Sequence, residues 1–221
     1  MTPQGEIALT GFVLAGGRSA RLGHDKTQLP WAKGTLLDHA VARLAQVCPQ
    51  VWVCVRRSSA GQSPPAGAAG CIPDAAEDAG PLAGIVAALE HTTTDWNLLF
   101  AVDMPFVPVA VLSALAARAG SSSHGCVLAI GDGRPQPLCG LYHRRLAPGL
   151  RRSLEQGTLK VMAALQQAGG PPEFFHPQAD IPGAAHWWRN INTAADWQEA
   201  QRLAQLPSAE SDSAAATLRL S

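Results

Sequence analysis

Leu9-Thr10-Gly11-Phe12-Val13-Leu14-Ala15 runs directly into Gly16-Gly17-Arg18-Ser19-Ala20-Arg21-Leu22-Gly23-His24-Asp25-Lys26. The first seven residues form a short apolar run without polar alternation, the pattern of a strand covered on both faces. The residues after it are those of a turn that meets a ligand. Paired glycines let the backbone bend sharply and come close to another group. Their amides can face anionic oxygens as a nest. Arg18, Arg21 and Lys26 add positive charge within a few residues. Two common phosphate motifs do not fit. A P-loop needs a Gly-Lys pair after a four-residue gap, and Lys26 does not follow a glycine. A dinucleotide fingerprint needs spaced glycines, and Gly16-Gly17 are adjacent.

Further short apolar runs follow: Val51 to Val55, Asn97 to Val102 and Cys126 to Ile130. Helical patterns lie between them. In Leu36 to Val47, residues Leu37, Ala40, Val41, Leu44 and Ala45 share a face, and Pro49 stops the pattern. Leu82 to Glu90 and Ala110 to Ala119 also read as helices, as do Arg145 to Gln156, Thr158 to Ala168 and Ala194 to Leu206. Strands alternating with helices predict an α/β fold with a mostly parallel, Rossmann-like sheet flanked by helices. The 221 residues suit one domain, residues 1–206, divided into halves at about 8–120 and about 121–206. The Ser- and Ala-rich stretch 207–221 predicts a disordered tail.

Lys and Arg number 17, as do Asp and Glu, so the formal charge is zero and no broad basic surface is available for nucleic acid or an acidic membrane. An anionic ligand must be held by local devices. The five Cys, at 48, 54, 71, 126 and 139, form no CxxC pair, and an odd count of reduced thiols points to the cytoplasm. The N-terminus lacks the basic and apolar regions of a signal peptide, and no run approaches the length of a membrane span. The seven His show no metal-ligand spacing, and Trp187-Trp188 reads as packing.

Asp103 ends the run Asn97 to Val102, at the edge where α/β sheets bind ligands. A carboxylate there can hold Mg²⁺ together with phosphate oxygens. It can equally cap a following helix, which Pro105 and Pro108 would permit. Asp74 precedes a loop leading to Gly80-Pro81-Leu82-Ala83-Gly84, where glycines and a helix N-terminus favour an anion. Asn190 and Asn192, two residues apart on an extended segment, project to one face. They can read a polar ligand, or support a turn in which Asn192 or Thr193 caps the last helix.

From Leu14 to Leu29 the chain reads LAGGRSARLGHDKTQL, which resembles the signature LAGGxSxRMGxDKxLL of the molybdenum cofactor guanylyltransferases, the MobA-like nucleotidyltransferases. Leu22 stands where Met is usual. Asp103-Met104-Pro105-Phe106, Gly80 to Gly84, Arg134 to Tyr142 and Asn190-Ile191-Asn192-Thr193 resemble later elements of that family, so the likeness covers about residues 8 to 200. Thr158-Leu159-Lys160 carries one basic residue where the family has two.

The resemblance implies the nucleotide-diphospho-sugar transferase fold and transfer of GMP from GTP to molybdopterin. It implies backbone contacts to the nucleotide at Leu14, Ala15, Gly16 and Gly17, with Asp74 and Gly80 beside them. Lys26 would bind phosphates, Arg21 would assist, and Asp103 would hold Mg²⁺. Lys160, Asn190 and Asn192 would face the acceptor. GTP and molybdopterin are the implied partners, with a molybdoenzyme or its chaperone downstream. Sister enzymes carrying CMP to molybdopterin, or a nucleotide to a sugar phosphate, share much of this pattern. A non-catalytic nucleotide-binding module for cofactor insertion would keep the loop alone.

Overall fold

The computed structural model describes residues 7–16, 25–177, 181 and 186–205. The 207–221 stretch read as a tail lies outside the described residues, as do Gly17, Arg18 and Arg21. Among the described residues nine strands occur in chain order: β1 (Leu9–Leu14), β2 (Pro30–Trp31), β3 (Gly34–Thr35), β4 (Gln50–Val55), β5 (Gly70–Pro73), β6 (Trp96–Ala101), β7 (Cys126–Gly131), β8 (Arg134–His143) and β9 (Glu173–Phe175). Six α-helices accompany them among those residues: α1 (Leu36–Leu44), α2 (Pro81–His91), α3 (Val109–Ala116), α4 (Ala147–Glu155), α5 (Val161–Gly169) and α6 (Ala194–Ala204).

Seven strands form one sheet in the order β5-β4-β1-β6-β8-β7-β9, and β2 and β3 form a small antiparallel ribbon. Pairing is parallel from β5 through β4 and β1 to β6, and again between β7 and β9; only β8 runs against its neighbours. The expected mostly parallel sheet flanked by helices is therefore present. All six residues of β1 and of β6 are buried, which explains their lack of alternation. Successive residues serve opposite faces. Val13, Val53, Leu98 and Phe100 pack with α1 and α3, whereas Phe12, Cys54 and Leu99 pack with α2, α4 and α5. Each large side chain buried in these two layers contributes about 1.5–3 kcal/mol.

The helices begin and end for local reasons. Thr35 and Asp38 make a capping box on α1, and Thr193 and Asp196 make one on α6. α2 follows Gly80, whose φ of 63° is open to glycine, and has Pro81 in its first turn. α5 differs from its expected start at Thr158: it begins at Val161, with extended Lys160 as its cap. Gly157 (φ 77°) reverses the chain after α4, and Thr158 donates back to the Ser153 carbonyl, so the intervening residues belong to a turn.

The topology locates a ligand crevice. From β1 the chain passes outward to β4 and β5, then returns through α2 across β1 to β6. Strand order reverses between β1 and β6, and crevices in open α/β sheets lie at the carboxyl ends of strands where this happens. Among the described residues, no helix is long and apolar enough to cross a membrane.

Candidate active site

The carboxyl ends of β1 and β6 are joined where Val102 donates to the Leu14 carbonyl at 3.2 Å. Asp103 stands one residue beyond. It does not cap a helix: α3 starts at Val109, with Pro108 in the capping position. Its main-chain carbonyl accepts from Ile191 at 2.9 Å. One carboxylate oxygen, Oδ2, accepts from Lys26 Nζ at 3.2 Å. The other, Oδ1, is buried with no hydrogen-bond partner. Burial pushes the Asp103 carboxyl above the ordinary carboxylate range, and the Lys26 ammonium pulls it back.

Lys26 comes from the other side of the crevice, on a single 3-10 turn, Lys26–Gln28. Asp25 fixes that turn. Its Oδ1 accepts from the Thr27 amide at 3.0 Å and from the Thr27 hydroxyl at 2.8 Å. Its Oδ2 lies 3.6 Å from Arg56 Nη2 at the end of β4. Lys26 also donates to Asn192 Oδ1 at 2.8 Å.

Asp74 closes the crevice on the β5 side, its amide bonded to the Val55 carbonyl at 2.8 Å. Its carboxylate lies against Gly16, where a Cβ would sit 2.0 Å from Asp74 Oδ2. Any side chain at position 16 would displace this carboxylate, so glycine is required on packing grounds. Asp74 Oδ1 is buried and without a partner, ready for a donor on a bound molecule. Burial raises the Asp74 pKa to about 6, against a smaller lowering by Arg56.

That shift has a defined sign. A carboxyl whose folded pKa is raised adds stability below its unfolded pKa, and that stability is lost as pH rises through about 6. Asp74→Asn is therefore expected to leave stability unchanged near pH 4. At pH 8 it should add about 1–2 kcal/mol, discounted for solvent. Urea unfolding at the two pH values measures this; an equal change at both would show that Asp74 is not the group responsible.

The structure brings most of the expected residues together. Leu14 at the end of β1, Ala15 and Gly16 just after it, Lys26, Asp74, Gly80 and Asp103 line one cleft of about 90 Å³. A wider cavity of about 400 Å³ continues past Gly16, Asp74 and Gly80 to Arg56 and Arg57. Lys160 is exposed and lines neither cavity. Asn190 and Asn192 meet different surroundings. Ile191 between them is buried at 1% exposure, and Thr193 already caps α6. The turn sends Asn192 to Lys26, while Asn190 lines a separate cavity beside Phe106. Among the described residues no group of three or more His, Cys, Asp or Glu could hold a metal ion.

Among the lining residues given no site role by sequence reasoning are Asp25, Arg56, Arg57 and Leu138. Leu138 reaches the cleft from β8, at an irregularity where the register to β7 shifts between Leu128 and Ala129. The signal for that hairpin was present as Asp132-Gly133, both with positive φ, the turn that favours a right-twisted hairpin.

A family model, the MobA-like NTP transferase domain, matches residues 11–182. The chain belongs to this family. As a MobA-like nucleotidyltransferase it is 32% identical, over 201 residues, to the molybdenum cofactor guanylyltransferase of Serratia proteamaculans, covering 88% of this chain and 96% of that protein. Its fold is that of molybdopterin-guanine dinucleotide biosynthesis protein A from Archaeoglobus fulgidus (TM-score 0.74, 24% identity), over 88% and 98% of the two chains. A Mycobacterium tuberculosis protein solved in complex with manganese shares the fold (TM-score 0.60, 18% identity), over 87% and 97% of the chains. The crevice at the carboxyl ends of β1 and β6 thus lies in a MobA-like transferase fold.

Proposed function

We propose that this protein transfers GMP from GTP to the terminal phosphate of molybdopterin, forming the guanine dinucleotide and pyrophosphate in the cytoplasm. One observation carries the reading. Lys26 and Asp103, 77 positions apart in sequence, meet at 3.2 Å beside Gly16 at the strand ends. A cation and a carboxylate so placed are the parts that transfer between phosphates requires. The guanylyltransferase named above supports the choice of nucleotide and acceptor. On this reading residues 1–206 form one transferase unit, with about 8–120 holding the nucleotide and about 121–206 the acceptor.

The chemistry follows from the residues. An oxygen of the acceptor phosphate bonds to the α-phosphorus of GTP, the α–β bridging bond breaks, and pyrophosphate leaves. The acceptor is already anionic near neutral pH, so no side chain need act as a base. Lys26 and the Gly16 backbone face the phosphates and offset the charge that gathers on the leaving group. Asp103 presents a bare, buried Oδ1, which suits a hard cation such as Mg²⁺. Bound there, Mg²⁺ would neutralise phosphate charge. Asp74 offers its free Oδ1 to donors of the nucleoside.

Thermal shift with GTP, CTP, ATP and UTP, each with Mg²⁺, tests the base choice. A ligand at 100 times its Kd stabilises by about 2.7 kcal/mol. For a chain of this length that is a rise of roughly 5–10 °C. GTP is expected to give the largest rise. A larger rise with CTP would assign a cytidylyltransferase, and binding without pyrophosphate release would assign a non-catalytic module.

A further inference from the structure

Lys26 is held from two sides that differ in kind. Asp103 Oδ2 accepts from its ammonium at 3.2 Å as a charged partner, and Asn192 Oδ1 accepts at 2.8 Å as a neutral one. A charged partner cancels the charge that Lys26 would offer to phosphates; a neutral amide oxygen leaves it intact. A divalent cation at Asp103 would compete with the ammonium for the same carboxylate. Asn192 is then a contact that survives, and it helps keep a long, flexible side chain in place.

Asn192 itself sits on a fixed segment. Its backbone amide donates to Asp196 Oδ2 at 2.9 Å, and the Thr193 amide donates to the same oxygen at 2.8 Å. On its other side Ile191 is buried and donates to the Asp103 carbonyl at 2.9 Å. Trp31, a few residues after Lys26, closes the arrangement. Its ring meets Phe106, in the loop after Asp103, at 5.5 Å and Trp197 of α6 at 5.9 Å. The three segments that carry Lys26, Asp103 and Asn192 are therefore packed against one another.

We infer that Asn192, held by the Asp196 carboxylate, is a positioning residue that orients Lys26 toward the nucleotide phosphates rather than a direct contact to the acceptor. This rests on the nucleotidyl-transfer reading above for the role of Lys26. It also gives Asp196, at first sight only a helix cap, a part in the site.

A double-mutant cycle tests it. GTP·Mg²⁺ affinity is measured by calorimetry and kcat by pyrophosphate release, in Asn192→Ala, Lys26→Met and the double variant. Asn192→Ala is expected to lower GTP affinity and kcat together by about tenfold, with acceptor KM unchanged. In the Lys26→Met background the same change should cost less than twofold, the mark of residues acting as a unit. Equal losses in both backgrounds, or a loss confined to acceptor KM, would overturn the inference. Asp196→Ala should copy Asn192→Ala in affinity. Thr193→Ala removes only the hydroxyl side of the cap and should leave affinity within twofold; equal effects of these two would also overturn it. If the wild-type protein binds a nucleotide other than GTP, the choice of GMP fails, and the cycle is run with the nucleotide that binds.

Discussion

Asp103→Asn is expected to lower guanylyl transfer about 10³-fold without unfolding the protein. The substitution keeps the shape of the side chain and removes only its charge. What is lost is the carboxylate that would hold the divalent cation. Metal neutralisation of a transferring phosphate is worth several kcal/mol, and about 4 kcal/mol is 10³-fold in rate. The fold should survive because backbone contacts fix this turn: Ile191 to the Asp103 carbonyl at 2.9 Å and Met104 to the Ala101 carbonyl at 3.3 Å. Lys26 also keeps its bond to Asn192. Steady-state transfer at saturating GTP and Mg²⁺, with a thermal melt by circular dichroism, checks both halves. A loss below tenfold would remove Asp103 from the chemistry.

Lys26→Met should cost about 10²-fold, the scale for deleting one fixed charge aimed at a transition state. Methionine preserves much of the apolar stem, so packing changes little. A second effect follows from electrostatics. The Lys26 ammonium holds the buried Asp103 carboxyl down against the upward push of burial. Without that cation the carboxyl rises further, and it must lose its proton before it can take a metal. The Mg²⁺ requirement of Lys26→Met should therefore rise more steeply than that of the wild type as pH is lowered from 8 to 6. Titrating Mg²⁺ at the two pH values measures this. A parallel pH dependence in variant and wild type would show that the two side chains do not share the site.

Much of this was legible in the chain because the informative residues are local. β1, β4, β6 and β7 announced themselves as apolar runs, since strands buried on both faces need no alternation. Gly16 and Asp103 stood just past strand ends, where the fold class places ligands, and Lys26 stood in the loop that follows Gly16. The stretch Arg134 to Tyr142, which forms most of β8, was read only as resembling an element of the family. Pro135 and Pro137 argue against an interior strand; Pro137 falls in the register shift against β7, and both lie before Cys139, where pairing with β6 begins. β9 has three residues and no pattern of its own. The link from Asn192 to Lys26 spans 166 positions and depends on how α6 packs beneath Trp31, which no local pattern encodes. Asp74 was assigned to the nucleotide only through the family resemblance. That its carboxylate fills the space over Gly16 is a fact of three-dimensional packing.

The most direct measurement follows the label of α-³²P-GTP, incubated with the purified protein, Mg²⁺ and molybdopterin. The account requires the label to appear in a pterin dinucleotide, in amounts matching the pyrophosphate released, and α-³²P-CTP to give far less product. Transfer from CTP in preference to GTP, or no labelled dinucleotide from a protein that binds GTP, would contradict it.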